Sequence, residues 1–231
     1  MTTAPIYVPI TSPDQWKMLL AEPDKQWRTG FSARTIAHSW LAAEGLPVEV
    51  SSLPASSGIQ ALSSVDPLLI IPEHQVHLLP TSGHPSQNDV FVLGKAADGG
   101  LVSIAVEGKV SETFGPTLAE WGQDASRGKH TRLDFLKEEL SLQPDLPPGI
   151  RYQLLHRLAS AVIEAKRFGA KHAVLVVHSF SRTHEWFSDF EAFLSLFGSN
   201  AQVGALAWLF NSGDLSVYAG WAEGDPRFLA A

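Results

Sequence analysis

Asp89, Glu107 and Lys109 combine types and spacing suited to phosphoryl chemistry. Glu107 and Lys109 lie two apart in the β-rich run 101–110 (Leu-Val-Ser-Ile-Ala-Val-Glu-Gly-Lys-Val), so on a strand both side chains leave the same face. Asp89 opens the preceding β-rich run, 89–95, and Ala97-Asp98-Gly99-Gly100 between the two runs signals a hairpin. Register decides whether Asp89 joins the other two. A three-residue loop Asp98-Gly99-Gly100, pairing Ala97 with Leu101, puts all three on one side. A two-residue loop Asp98-Gly99 separates them unless a bulge restores the face. Two carboxylates with the unshielded carbonyl of Gly108 suit Mg²⁺ or Mn²⁺, hard cations that take oxygen ligands. Such a metal would acidify a bound water and polarise a phosphoryl oxygen, while Lys109 would orient that water or stabilise charge on phosphate. A Glu-x-Lys pair on a strand is ordinarily a solvated pair, so its context carries the functional reading.

The positioning elements follow from periodicity. Residues 32–44 read as a helix with Ile36, Trp40 and Leu41 on one face, Ser32 as N-cap and Gly45 with Pro47 as the stop. Residues 68–79 alternate as a strand. Residues 151–168 place Leu154, Leu155, Leu158, Ala161, Val162 and Ala165 at helical spacing, ended by Gly169. Residues 173–177 form a continuous apolar strand buried on both faces. A helix over 186–197 and strands over 203–210 and 215–221, around the turn at 211–214, complete the chain. Pro/Ser-rich connectors at 51–57, 79–86 and 143–149 punctuate it without separating cores, so residues 1–231 read as one domain. The expected class is α/β: a mixed central sheet flanked by helices, with strands at the C-terminal end.

Asn88-Asp89 followed by Glu107-Gly108-Lys109 resembles the PD-(D/E)xK signature of the restriction-endonuclease-like superfamily. The inferred α-β-β-β-α-β order over about 32–180 is similar to that superfamily's core. The resemblance implies a Mg²⁺-dependent nuclease, with Asp89, Glu107 and the Gly108 carbonyl on the metal and Lys109 beside the attacking water. It also implies a polar residue from the following helix, for which Gln153 stands in place, and in some members an acid from the first helix, for which Glu44 is the candidate. Asn88 replaces the usual proline, and residues 111–150, with helical pieces at 117–126 and 131–140, form an added segment.

The net charge of −7 opposes a general polyanion binder. The charge is uneven: residues 127–182 hold ten Lys/Arg against five acids, so the remainder carries −12. Arg151 and Arg157 in this basic segment are candidates for substrate phosphate, and His156 lies between them. With no cysteine there is no disulfide, thiolate nucleophile or cysteine metal site, and a reducing cytoplasm is the default. Residues 1–10 lack the pattern of a secretion signal, and no apolar run is long enough to span a membrane. The nine histidines show no zinc spacing, and His178-Ser179 lacks a nucleophile elbow. Trp40, Trp121, Trp186, Trp208 and Trp221 read as core. Two functions stand: a nuclease acting on nucleic acid, or an inactive nuclease-like fold serving as a binding or assembly module, with a homo-oligomer or protein partner open in either case.

Overall fold

A computed structural model describes residues 9–79, 84–124 and 126–231. Residues 1–8 of the leader reading and the middle of the connector at 79–86 lie outside the described residues. One mixed sheet runs in the order β1-β2-β3-β4-β6-β5. Its strands are β1 Val65–Val76, β2 Ser86–Ala96, β3 Leu101–Lys109, β4 His172–Ser179, β5 Leu206–Ser212 and β6 Leu215–Glu223. Strand β3 is antiparallel to β2 and parallel to β4, and β4 is parallel to β6. The helices are α1 Pro13–Lys17, α2 Pro23–Gln26, α3 Ser32–Ala43, α4 Val48–Ser51, α5 Leu53–Ser56, α6 Leu118–Trp121, α7 Arg127–Glu139, α8 Tyr152–Phe168 and α9 Phe187–Ser195. The mixed α/β class expected from the sequence holds. The helix–three strands–helix–strand run is α3-β1-β2-β3-α8-β4, with α6 and α7 between β3 and α8. Among the described residues no helix is long and apolar enough to cross a membrane.

Two apolar layers sandwich the sheet. On one face α8, α9 and Leu136 of α7 bury Ala105, Leu175, Val177 and Trp221. On the other, α3 with Trp16, Val50 and Leu53 buries Val90, Val92, Ile104, Val106 and Val176. All eight residues of β4 are buried, as its unbroken apolar run requires of a central parallel strand. Strand β1 sits at an edge, which is why it tolerates Pro67 and Pro72 and a bulge between Pro67 and Leu69.

Local departures from the expected elements have local causes. Phe31, not Ser32, is the N-cap of α3; the Ser32 N–H instead donates to the Glu112 carboxylate at 2.7 Å. Helix α7 starts four residues earlier than expected because the Ser126 side chain caps the Lys129 N–H. The connector at 51–57 coils into α5 and the end of α4. Val203 makes only an isolated bridge to Trp221, and Trp208, on edge strand β5, is 52% exposed, so it is not core.

His178, fully buried at the end of β4, ties α3 to the sheet. Its Nδ1 accepts from Trp40 Nε1 at 3.2 Å, which leaves the Nε2–H to donate to Glu49 Oε1 at 3.1 Å. Burial pushes this imidazole below its ordinary range, although the Glu49 carboxylate pulls it back. The unfolded chain therefore takes up a proton near pH ~6.5 that the folded chain refuses, so this contribution is complete above that pH and fades as pH falls through the lowered folded value. His156 acts in the same direction, and the raised Asp89 and Glu73 carboxyls in the opposite one. Between pH ~7.5 and ~5.5 the urea midpoint of wild type is expected to fall relative to that of His178→Gln. An identical fall in wild type and variant would mean that the imidazole titrates alike in both states.

Candidate active site at the end of strand β3

The hairpin turn uses Ala97-Asp98-Gly99, one residue earlier than either loop considered from the sequence. The Ala96 N–H donates to the Gly100 carbonyl at 2.8 Å, and Gly99 takes φ +83°, a conformation open to glycine. Asp98 Oδ1 accepts from the Gly100 N–H at 2.8 Å and holds the turn. The resulting register pairs Lys95 with Leu101 and Val90 with Val106, which brings Asp89 level with Glu107.

Glu107 and Lys109 share the α8 face of the sheet, as their spacing requires. Gln153 and Arg157, one turn apart on α8, reach down onto them. Lys109 Nζ donates to Glu107 Oε1 at 2.7 Å and to Gln153 Oε1 at 3.2 Å, and Gln153 Nε2 donates to Glu107 Oε1 at 2.8 Å. Arg157 Nε donates to Glu107 Oε2, while its Nη1 donates to Ser86 Oγ at 2.9 Å. Glu107, Lys109 and Arg157 are 3%, 4% and 7% exposed, so their mutual pairing is what permits burial. Burial alone would raise the Glu107 carboxyl; the charges of Arg157 and Lys109 bring it below the usual range.

Asp89 meets the cluster from a different direction. Its Oδ2 accepts the Gly108 N–H at 2.7 Å, and lies 3.2 Å from where a Cβ on Gly108 would stand, the side that faces Ile36 of α3. A Cβ there would press Ile36 at 3.0 Å and Asp89 at 3.2 Å, so any larger residue would have to push one of them aside. The single-face arrangement of Asp89, Glu107 and Lys109, one of the two that the sequence left open, therefore gives way to Asp89 in the seam beside Gly108. The cause is a break in alternation. Val90 and Val92 face the α3 layer, and strict alternation would send Ser86 there too, yet Ser86 touches Arg157 and His156 of α8. The break falls level with Glu73 of β1, which takes φ +53° between the paired rungs Pro72–Val90 and His74–Asn88.

Glu73 is a third acid that sequence reasoning missed. It is buried, accepts from Trp16 Nε1 at 3.3 Å and from Gln87 Nε2 at 2.8 Å, and lies in the row of Asp89 and Glu107 across β1, β2 and β3. An acid following a proline on an edge strand carries no sequence signal of this. Burial, then the Glu107 charge, then the Glu73 charge push the Asp89 carboxyl well above the usual range, which Arg157 and Lys109 do not offset.

Glu44 is not brought to this place: it is the exposed, left-handed C-cap of α3. The residue of α3 over Gly108 is Ile36, eight residues earlier and about 12 Å along the axis. Arg157 is committed to Glu107 and Ser86 rather than free for phosphate. Arg151 is committed likewise, donating to Asp189 Oδ2 at 2.8 Å and to the Gly115 carbonyl at 2.7 Å, with its guanidinium over Trp186.

The donors present fit a hard cation at Asp89. The Lys109 carbonyl accepts from Phe180 N at 2.7 Å on the β4 side. By alternation the Gly108 N–H and carbonyl face β2, where Asp89 lies. Two oxygens of the kind Mg²⁺ takes thus border the seam, beside a carboxyl whose ionisation is opposed by neighbouring acids. Among the described residues no three His, Asp or Glu side chains form a ready-made metal cage. A family model described as "Domain of unknown function (DUF6946)" matches residues 9–226 of the chain. No curated protein and no solved structure matches it.

Proposed function

We propose that this chain, which belongs to the DUF6946 family, is a divalent-cation-dependent nuclease of the PD-(D/E)xK kind that hydrolyses phosphodiester bonds in nucleic acid. The observation that carries the reading is that Asp89 accepts the Gly108 N–H on one side of β3, while the residues flanking Gly108, Glu107 and Lys109, pair on the α8 side with Gln153 joining them. When bound, Mg²⁺ or Mn²⁺ would lower the pKa of a water and polarise the phosphoryl group. Asp89 and the Gly108 carbonyl would hold it, and Glu107 would join them only by giving up a bond to Lys109, Gln153 or Arg157. Lys109, fixed by Glu107 and Gln153, would present a proton-bearing cation to the attacked phosphate. Arg157 keeps Glu107 ionised and in place.

A second reading has one specific observation on its side. Both Glu107 oxygens are already bonded, to Lys109 and Gln153 on one side and Arg157 on the other. A carboxylate so satisfied can serve as a buried structural charge in an inactive, nuclease-like binding or assembly module. Thermal unfolding with and without millimolar Mn²⁺ or Mg²⁺ separates the two. The nuclease reading expects an upward shift in wild type, set by metal concentration over Kd, and its loss in Asp89→Asn. No shift in wild type, together with no cleavage of single-stranded DNA, duplex DNA or RNA, would leave the second reading standing.

A further inference from the structure

Beside the cluster, between α6, α7 and the first turn of α8, lies a groove of about 350 Å³. Its apolar walls are Leu79, Trp121 and Tyr152, and His84, Lys129 and Arg132 also line it. Trp121 and Tyr152 stack at 4.1 Å between centroids, with Lys129 Nζ 5.2 Å over the Trp121 ring and the His156 ring 5.0 Å from Tyr152, so the wall presents mainly ring edges to the groove. Lys129 is already neutralised by Asp124, but Arg132 is not: its Nε donates to the Tyr152 hydroxyl, its Nη1 to the His84 carbonyl at 2.7 Å, and among the described residues it has no ion pair. A half-buried guanidinium held by neutral acceptors keeps its full charge for a ligand. The first turn of α7 adds to this imbalance, since it carries Arg127 and no acid.

This groove and the acidic cluster share one electrostatic field. His156 of α8, bonded to Ser86 at 2.8 Å, is held neutral by burial and by the charges of Arg157, Arg132 and Lys109 together. The Arg132 charge is thus felt at a residue next to Arg157 and one α8 turn from Gln153, the two α8 residues on Glu107.

We propose that the groove is a nucleotide subsite, taking one unpaired nucleotide of a single-stranded nucleic acid with its phosphate on Arg132 and its base against the Trp121–Tyr152 wall. The volume falls in the range of small-ligand pockets. An anionic phosphate answers Arg132, the groove-lining Lys/Arg that has no ion pair among the described residues, and apolar aromatic walls suit a base whose faces are not covered by duplex neighbours. A body of net charge −7 disfavours embracing a duplex along its length, whereas a local cationic groove can still draw in a single strand. The proposal deepens the nuclease reading and rests on it for what happens at the neighbouring cluster.

The test is anisotropy of a fluorescein-labelled eight-nucleotide oligothymidylate titrated with the full chain in EDTA at low salt, where no metal-dependent cleavage intervenes. Wild type is expected to bind the single strand at least about tenfold more tightly than a duplex of the same length. Arg132→Gln is expected to weaken binding about tenfold and to flatten the salt dependence by roughly one unit of slope. Arg132→Lys, which keeps the charge, is expected to retain most of the affinity, and melting curves of both variants check the fold. The subsite is overturned by absent wild-type binding, by equal affinity for the duplex, or by an unchanged Kd in a folded Arg132→Gln. Binding in EDTA without cleavage in Mg²⁺ would overturn the nuclease reading and leave the subsite standing, whereas cleavage with an unaltered Arg132→Gln Kd would overturn the subsite alone.

Discussion

Lys109→Met is expected to reduce metal-dependent cleavage by two to three orders of magnitude while the protein stays folded. The methionine replaces an ammonium by a thioether of similar length, in a site where the lysine stem already packs with its Nζ 4.9 Å from the Phe114 ring centroid. Glu107 keeps Arg157 and Gln153 as partners, so no buried carboxylate is left alone. What disappears is the ammonium beside Gly108, while the Arg157 guanidinium stays on Glu107 and Ser86. A loss confined to the turnover rate, with Kd for a single-stranded oligonucleotide nearly unchanged, is the signature of a group acting in the transition state. Cleavage by Lys109→Met within a few-fold of wild type would remove Lys109 from the chemistry. A variant that is inactive because it has unfolded would be recognised by its melting curve.

The parts of this site that could be read from sequence are those governed by strict periodicity. Glu107 and Lys109 share a face because a strand alternates, and Gln153 meets them because α8 follows its 3.6-residue repeat from Tyr152 onward. The all-apolar core of β4 declared a central strand in the same way. Asp89 escaped because its position depends on two events that composition hides. The turn closed one residue early, on Ala96 and Gly100, and the alternation of β2 broke opposite a left-handed Glu73. Glu73 and Ser86 belong to the cluster only through tertiary register, since neither sits in a motif. The pairing of Arg157 with Glu107 was hidden for a related reason. On a helix it reads as a surface cation available to phosphate, and only the depth of Glu107 turns it inward. Glu44 was assigned through the resemblance alone, and the axis of α3 carries it past the seam.

Arg157→Ala is expected to be the most destabilising single change at the site, by about 3–5 kcal/mol. For a chain of this length that corresponds to a fall in Tm on the order of 10 °C. The guanidinium is the largest influence, after burial, on the Glu107 carboxyl, and it also bonds Ser86 Oγ at 2.9 Å. Without it a 3%-exposed carboxylate retains only Lys109 and Gln153. The Glu107 pKa must then rise, so the deficit should be greatest near neutral pH and shrink as pH falls through the raised value. Arg157→Met with Glu107→Gln, which removes both charges together, should recover most of the lost stability, as the removal of a whole buried pair often does. The same variant also separates the two functional readings. If the seam at Gly108 takes a hard cation, Mn²⁺ should raise the Tm of Arg157→Ala by more than it raises that of wild type, because the metal then supplies part of the positive charge Glu107 has lost. If Glu107 is only a structural anchor, Arg157→Ala should be destabilised to the same extent with and without the metal. A loss below about 1 kcal/mol would contradict both, since it would place Glu107 in contact with water rather than in a closed cluster.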